Sequence, residues 1–219
     1  MLNYIKITGG PLYSNSYIVY NARGRGFIVD AGVEPFKIYE LINELNIDTI
    51  EFIVLTHGHF DHVFYAGKIS EKLGVDVYLH RDDLEIFEYS AIYGEYLYRD
   101  VFVKPRNLVL LGSDSELYFG DVKVKIIHTP GHSPGSVCIL VGNFLFTGDT
   151  LFKGTVGRTD LPGGSSRQLA FSLRKIALLP GDYIILPGHG EESSLKRELV
   201  ENYYLKKLIE AHNTNHNKY

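Results

Sequence analysis

The sequence predicts a layered α/β protein in which β-sheet is covered by helices, folded as a single domain over residues 1–219. Runs rich in β-branched and aromatic residues alternate with amphipathic, helix-like segments. The chain is 45% hydrophobic and 22% charged, which is typical of a globular protein with a sizeable core. No Pro/Ser linker or charge block divides it, so a second domain is not predicted.

In the first half, the pattern predicts strands at residues 2–7, 16–20, 27–30 and 51–56. One helix is predicted to begin at Pro35, because proline suits the first turn and apolar residues then recur with helical spacing. A second helix follows the fourth strand and is predicted to end at Gly74. The apolar positions of these helices are Ile38, Leu41, Ile42 and Leu45 in the first, and Ala66, Ile69 and Leu73 in the second.

In the second half, strands are predicted at residues 123–128, 136–141, 144–147 and 183–186, with a helix carrying Leu169 and Leu173 before the last of them. Residues 81–107 lack a clean period. We predict a short helix at 81–88 and a helical insertion whose aromatic rings pack together, with a substrate-pocket wall as the alternative. The tyrosines of this insertion are Tyr89, Tyr93, Tyr96 and Tyr98.

The same unit occurs once in each half. A strand ends at an Asp, a helix follows, and a second strand ends at a His. In the first half these residues are Asp30 and His57, and in the second half Asp149 and His189. The order of elements therefore predicts a duplicated unit, although the two stretches share little sequence.

The segment His57-Gly58-His59-Phe60-Asp61-His62 places four potential metal ligands at the end of an apolar strand. Imidazole and carboxylate are the ligands that zinc and other borderline ions prefer. Since residues i and i+2 of an extended chain point the same way, His57 and His59 can hold one ion. Asp61 and His62 lie past the bend, at the start of the next helix, and can face a second ion.

Three later strand ends each present one more ligand beside a glycine. Active sites of α/β sheets form at strand ends, and a two-metal site needs such a convergent set. The predicted ligands are His57, His59 and His132 for one metal, Asp61, His62 and His189 for the other, and Asp149 between them.

The run from His57 to His62 meets the HxHxDH signature of the metallo-β-lactamase superfamily, and the sequence resembles that superfamily over essentially its whole length. His132, Asp149 and His189 follow in the family's ligand order. The resemblance implies a four-layer αββα sandwich, in which two mixed sheets pack face to face with helices outside. Residues 148–152 and 157–164 resemble the glyoxalase II-like hydrolases within the superfamily.

The ligand set predicts a hydrolase with two divalent metal ions, Zn²⁺ in the first instance, with iron or manganese as alternatives. Such a pair lowers the pKa of a shared water, and the bridging hydroxide then attacks a carbonyl without a Ser or Cys nucleophile. A thioester, such as a hydroxyacyl-thiol conjugate, suits the site because thiols, with a pKa of about 8.5, leave without strong acid assistance. Asp61 and Asp149 are the candidate catalytic residues that relay the proton.

Two further residues have predicted supporting roles. Arg158 can meet a substrate carboxylate or pair with a neighbouring acid within its loop. Asp30 resembles the family's strand-end Asp, which orients a ligand through a hydrogen bond; a plain turn cap is the alternative. Hydroxyacylglutathione hydrolases bind glutathione with a Lys and a Tyr, near whose positions Arg158 and Asp160 stand here, and with a C-terminal helical domain, whereas few residues follow Gly190. The resemblance therefore carries the fold and metal site but not glutathione specificity.

Two other functions remain open at this stage. Persulfide dioxygenases of the same superfamily bind a single iron through two His and one Asp, and share a Gly-Arg-Thr-Asp stretch like residues 157–160. A non-enzymatic metal-binding or interaction module is the third class. It is disfavoured because all seven ligand positions are filled.

Composition limits the partners. With 22 basic and 26 acidic residues, the net charge is −4, which disfavours nucleic-acid binding and favours a small-molecule substrate. The N-terminus lacks a signal-peptide pattern and no long apolar run occurs, which predicts a cytoplasmic protein without membrane association. The oligomeric state is left open. The remaining histidines, His80, His128, His212 and His216, are predicted to be structural or solvated, and Cys138 to be a buried, inert thiol.

Overall fold

The structure is a computed structural model that describes residues 1–208. Its strands are β1 (Leu2–Gly9), β2 (Ser14–Asn21), β3 (Arg25–Val29), β4 (Thr49–Val54), β5 (Asp76–His80), β6 (Leu108–Leu111), β7 (Glu116–Phe119), β8 (Val122–His128), β9 (Val137–Val141), β10 (Phe144–Gly148), β11 (Leu151–Phe152), β12 (Thr155–Val156), β13 (Ile184–Pro187) and β14 (Ser193–Ser194). Its helices are α1 (Pro35–Glu44), α2 (Phe60–Val63), α3 (Ala66–Leu73), α4 (Leu84–Tyr98), α5 (Ser166–Ala177) and α6 (Leu195–Glu201), with a 3-10 turn at Arg81–Asp83. None of the helices within residues 1–208 is long and apolar enough to cross a membrane.

The strands form two six-stranded mixed sheets and a small ribbon of β11 and β12. The first sheet has the order β1-β2-β3-β4-β5-β6, and its strands from β3 to β6 are parallel neighbours. The second sheet has the order β14-β13-β10-β9-β8-β7, in which β10 and β13 are the parallel pair. The remaining neighbours in both sheets are antiparallel.

Alternating side chains on the central strands show that the sheets pack face to face. Phe27 and Val29 of β3 share a buried cluster with Ile139 and Phe146 of the second sheet. Ile28, which lies between them in sequence, belongs to a different cluster under α1 and α3. A third cluster joins the outer face of the second sheet to α5 and α6. The layers are therefore helix, sheet, sheet and helix, which confirms the predicted αββα sandwich.

Residues 81–107 contain the predicted helical insertion, which is the helix α4. The expected short helix at residues 81–88 is wrong in extent, since α4 continues to Tyr98. One face of α4 packs inward, where Phe87 is fully buried and Tyr98 stacks on Phe64 with ring centroids 4.2 Å apart. The opposite face carries Tyr89 and Tyr93, which are 55% and 66% exposed. Because both faces are apolar or aromatic, no polar stripe marks the helical period in the sequence.

Strands β5, β6 and β7 were not predicted from the sequence. Each has only four or five residues, and apolar runs this short do not distinguish strand from helix by their period. These segments are strands because of their hydrogen bonds to neighbouring strands. Strands β5 and β6 extend the parallel part of the first sheet, and β7 forms the edge of the second.

The duplicated unit is present in the structure. The first copy is β3-α1-β4 and the second joins β10 to β13 through α5, and both strand pairs are parallel. Asp30 directly follows β3, and His57 comes shortly after β4. Asp149 directly follows β10, and His189 comes shortly after β13. The carboxyl ends of both parallel pairs thus deliver an Asp and a His to the same part of the molecule.

Candidate metal centre

The loop after β4 brings the first cluster of ligands into the interior. His57 is buried, and His59 ends the extended segment as the residue before α2, with φ −68° and ψ 145°. Helix α2 then begins at Phe60, so Asp61 and His62 lie in its single turn and are both buried. This change from extended to helical backbone separates the two pairs of ligands, as the sequence predicts.

His57, His59 and His132 form the first group of candidate ligands, and their ligand atoms lie within 4.8 Å of one another. His59 Nδ1 and His132 Nε2 are 2.9 Å apart. His132 is delivered by the loop between β8 and β9. Three imidazoles from two loops therefore converge on one point.

Asp61, His62 and His189 form the second group, again with ligand atoms within 4.8 Å of one another. His189 Nε2 lies 3.1 Å from Asp61 Oδ2 and 3.3 Å from His62 Nε2. His62 Nε2 lies 3.4 Å from Asp61 Oδ2. This group has one carboxylate and two imidazoles, where the first has imidazoles alone.

Asp149 lies between the two groups, and its two carboxylate oxygens have different neighbours. Its Oδ2 is 3.6 Å from His132 Nε2 and 3.7 Å from His189 Nε2, so it faces both groups. Its Oδ1 is 3.5 Å from His62 Nε2. A carboxylate in this place is able to bridge two ions, as the sequence predicts for Asp149.

The residues fit a metal centre. Within residues 1–208, His57 Nε2 and Asp149 Oδ1 are buried and have no hydrogen-bond partner, although buried polar atoms are nearly always paired. Imidazole nitrogen and carboxylate oxygen are also the donors that Zn²⁺ and related ions select. A bound cation would satisfy both atoms, and it would relieve the close approach of unprotonated nitrogens in each group.

The electrostatics favour neutral imidazoles at His57 and His59 of the first group and an ionised carboxylate at Asp61 of the second. Burial lowers the pKa of His57 well below its usual value, and the neighbouring histidines lower it further. Burial and His132 lower the pKa of His59 to about 4. Burial opposes ionisation of Asp61, but His62 and His189 more than offset it and hold the Asp61 pKa well below its usual value. Neutral imidazole and ionised carboxylate are the forms that bind metal.

Hydrogen bonds to the Nδ1 atoms, on the side away from the centre, orient several of the candidate ligands. Asp30 Oδ2 accepts from Thr56 Oγ1 at 2.8 Å and lies 2.8 Å from His62 Nδ1, while Asp30 Oδ1 accepts from the Thr56 amide at 2.7 Å. His57 Nδ1 lies 3.0 Å from Thr56 Oγ1. His132 Nδ1 donates to the backbone carbonyl of Arg158 at 3.0 Å. Such contacts fix which nitrogen of each imidazole faces the metal.

Sequence reasoning missed Asp83. This buried carboxylate accepts from the Gly58 amide at 2.8 Å, the Gly135 amide at 2.5 Å and Ser133 Oγ at 2.6 Å. It therefore ties the loop of His57 and His59 to the loop of His132. Burial raises the pKa of Asp83, and the three hydrogen bonds oppose that rise. Nothing in the sequence distinguishes Asp83 from its exposed neighbour Asp82.

The Arg158 guanidinium pairs with Asp160, with nitrogen to oxygen distances of 2.7 and 2.8 Å, and both side chains are exposed. The Arg158 side chain thus pairs with a neighbouring acid within its loop, which is the second of the two roles predicted from the sequence. Its contribution to the centre is its backbone carbonyl, which holds His132. A substrate contact by Arg158 stays a prediction.

Two other sequence predictions have outcomes away from the centre. Cys138 is buried, and burial raises its thiol pKa to about 11, as expected of an inert thiol. His80 and His128 do have a cluster, contrary to expectation, because their rings stack with centroids 4.0 Å apart beside Asp82. One ligand atom from each of His80, Asp82 and His128 lies within 4.8 Å of the other two, so these residues form a further group able to hold an ion. His212 and His216 lie outside the described residues.

A cavity of about 470 Å³ adjoins the centre. His59 and Phe60 form its inner end, the outer face of α4 forms one wall, and Leu161 and Pro162 form another. Within residues 81–107, Tyr98 packs inward, as predicted for packed aromatic rings, while Tyr89 and Tyr93 line this cavity; a substrate role for them stays a prediction.

Comparison with known proteins identifies the family. The model of the metallo-beta-lactamase superfamily matches residues 9–189, which include every candidate ligand. The chain therefore belongs to the metallo-β-lactamase superfamily. A Bacillus subtilis protein described as a probable metallo-hydrolase, YqgX, is 35% identical over 201 residues, or 90% of this chain and 94% of YqgX. Family and relative together support a metal-dependent hydrolase.

Further relatives differ in their described activities. Hydroxyacylglutathione hydrolase GloC of Haemophilus influenzae is 31% identical, covering 87% of this chain and 92% of GloC. The B3 metallo-beta-lactamase BLEG-1 superposes with a TM-score of 0.83 at 30% identity, covering 93% and 99% of the two chains. The di-iron-bound form of TTHA1623 gives 0.81 at 35% identity, with 92% and 100% coverage. ETHE1 from Myxococcus xanthus shares the fold, with a TM-score of 0.74 at 22% identity and 96% and 91% coverage.

Proposed function

We propose that this protein is a binuclear metal-dependent hydrolase that cleaves a thioester. The observation that carries the proposal is the convergence of two ligand groups on Asp149, whose Oδ2 faces His132 of one group and His189 of the other. The ions are two divalent cations, with Zn²⁺ as the first candidate; the iron in TTHA1623 makes iron the leading alternative.

When bound, such ions lower the pKa of a coordinated water and polarise the substrate carbonyl. The chain's own residues then place and move the proton. Asp149, whose oxygens lie 3.5–3.7 Å from imidazoles of both groups, is our candidate to accept the proton of an attacking water. Asp61 is held ionised beside His189 and provides the second carboxylate. Asp30 keeps His62 oriented throughout, because it contacts Nδ1 and leaves Nε2 facing the centre.

A thioester is the proposed substrate for two reasons. Thiols have a pKa of about 8.5, so a thiolate leaves without protonation by a strong acid, and both candidate acids of this site are themselves ligands. The hydroxyacylglutathione hydrolase GloC, a thioesterase by its name, is also related over most of both chains. The substrate is a small molecule, since the net charge of −4 disfavours a nucleic acid.

A mononuclear iron dioxygenase acting on a persulfide is the alternative. It would require two His and one Asp, and His57, His62 and Asp149 do lie within ligand distance of one another. The shared fold of ETHE1 is compatible with it. The alternative leaves the carboxylate of Asp61 and the imidazole of His189 without a role, which is why we favour the hydrolase.

The deciding experiment measures metal content and turnover on protein purified without added metal. We expect close to two divalent ions per chain and hydrolysis of S-lactoylglutathione or a simpler thioester. A nitrocefin assay tests the β-lactamase activity suggested by BLEG-1. One iron per chain, with oxygen uptake on glutathione persulfide and no thioester hydrolysis, would replace the hydrolase with the dioxygenase. Asp61→Ala should abolish hydrolysis while circular dichroism stays unchanged.

A further inference from the structure

We propose that the cavity beside α4 binds one arm of the thioester, either its acyl group or its thiol group, and that this arm is uncharged and apolar. The protein would then select neutral apolar thioesters over anionic ones such as glutathione conjugates. The inference rests on the proposed thioester hydrolysis and adds a substrate class to it. It concerns the cavity of about 470 Å³ described above, which is within the usual size range of small-molecule sites.

The cavity opens directly on the metal centre. His59 belongs both to its lining and to the first ligand group. A substrate whose carbonyl lies at the centre therefore has one arm directed along α4. The cavity is large enough for a chain of several carbons or for an aromatic ring.

The α4 wall is apolar because of helical spacing. Ile86, Tyr89 and Tyr93 stand at i, i+3 and i+7 and so lie on one face of the helix. Ser90 is on the same face, but its hydroxyl already donates to the Gly58 carbonyl at 2.6 Å. The opposite wall of Leu161 and Pro162 is also apolar. An arm in this cavity gains mainly from contact with aliphatic and aromatic carbon.

Charge excludes an anionic arm. No Lys, Arg, Asp or Glu belongs to the lining within the described part of the chain. The charged residues of α4 itself are all acidic, namely Glu85, Glu88 and Glu95. The Arg158 guanidinium, in the neighbouring loop, is already paired with Asp160. A carboxylate held along α4, away from the metal centre, would lose its hydration without meeting a cationic side chain of the lining, which is costly.

Two substrate series test the inference on the metal-loaded enzyme. The first keeps the neutral thiol N-acetylcysteamine and varies the acyl group through acetyl, butyryl, hexanoyl and benzoyl. The second keeps the acetyl group and varies the thiol through ethanethiol, butanethiol, hexanethiol and glutathione, which are all alkyl thiols. We expect kcat/KM to rise by up to about fourfold per added methylene in whichever series fills the cavity, and to be lowest for the glutathione ester. The responsive series identifies the arm as acyl or thiol.

Three variants locate the effect. Tyr93→Ala removes a cavity wall and should lower kcat/KM for the preferred substrate about tenfold. Tyr96→Ala is the matched control, because Tyr96 lies on the same helix, is 83% exposed and does not line the cavity. Ile86→Lys places a cation in the lining and should shift the ratio of glutathione to neutral thioester rates at least tenfold toward glutathione.

Binding of an uncleavable analogue, measured by isothermal titration calorimetry, tests the cavity independently of thioester hydrolysis. S-hexyl-N-acetylcysteamine, an uncleavable thioether, should bind the wild type and Tyr96→Ala equally and Tyr93→Ala about tenfold more weakly. If it does so while no thioester is hydrolysed, the cavity assignment stands and the proposed function is wrong. If thioesters are hydrolysed at rates indifferent to both arms and to Tyr93→Ala, the cavity assignment is wrong and the hydrolase stands.

Discussion

The two copies of the strand-helix-strand unit place an Asp and a His at matching positions but use the Asp differently. In the first copy, both oxygens of Asp30 are occupied by Thr56 and His62, and the residue is buried. In the second copy, Asp149 faces both ligand groups and its Oδ1 has no hydrogen-bond donor within residues 1–208. The Asp at one strand end therefore orients a candidate ligand, and the Asp at the other is itself a candidate ligand.

The residue before each His explains the difference. Thr56 precedes His57, and its amide and hydroxyl both donate to Asp30. Gly188 precedes His189, and a Cβ built there would lie 2.3 Å from Asp149 Oδ1 and 2.7 Å from His62 Cε1. The missing side chain leaves room for Asp149 to enter the centre. The two copies of the unit therefore have different chemical roles, because a threonine precedes the His in the first copy and a glycine precedes it in the second.

Asp149→Asn is the substitution for which we expect the largest loss of activity. We expect kcat/KM to fall by more than the roughly 10–100-fold that loss of an outer hydrogen-bond partner typically costs, because both ligand groups lose their shared carboxylate. Metal analysis should show loss of at least one ion per chain. Full metal content with wild-type turnover would contradict the bridging role of Asp149.

Gly188→Ala makes the second unit resemble the first. The added methyl group must displace Asp149 or His62, so we expect metal affinity in a competitive chelator titration to fall about 100-fold. Gly154→Ala is the control, because a Cβ there meets nothing within 4 Å, and Gly154 has the positive φ that Gly188 lacks. An effect of Gly188→Ala no larger than that of Gly154→Ala would argue against crowding of Asp149 and His62 as the cause.

Asp83→Asn tests how the halves are coupled, since Asp83 joins the first ligand loop to the loop of His132. An amide leaves one of the three donors facing another donor, and we expect metal affinity to fall about 10-fold to 100-fold. The cobalt-substituted protein should show a changed visible spectrum. Asp82→Asn removes the same charge from the exposed neighbouring position and should leave both measurements near wild type. An unchanged spectrum in Asp83→Asn would argue against a positioning role.

The smallest expected effect is that of Thr56→Val. The hydroxyl contacts to Asp30 and His57 are lost, but the backbone amide still donates to Asp30. We expect a loss of about 1–2 kcal/mol in the free energy of unfolding, measured by urea denaturation, and a decrease in kcat/KM of less than about tenfold. A loss as large as that of Asp149→Asn would mean that the two units are less different than their contacts indicate.

Local sequence was sufficient to predict which residues converge at the candidate centre, because HxHxDH concentrates four of them in one segment and the others stand beside glycines at strand ends. It was insufficient for Asp83, whose role depends on Gly58, Ser133 and Gly135 meeting around it. The helix α4 was underestimated for a related reason. Its two apolar faces contact different parts of the molecule, the core and the cavity, so no single period describes it.

The sequence by itself determined the layered fold and the repeated unit, because hydrophobic periodicity and turn residues act over short distances along the chain. It also determined which chemistry was available, through His and Asp in a recognisable order. Only the tertiary structure decided which Asp is a ligand and which a support, how Asp83 connects the loops, and which face of α4 borders the centre. Those outcomes depend on distances between residues far apart in sequence, and spacing along the chain does not specify such distances.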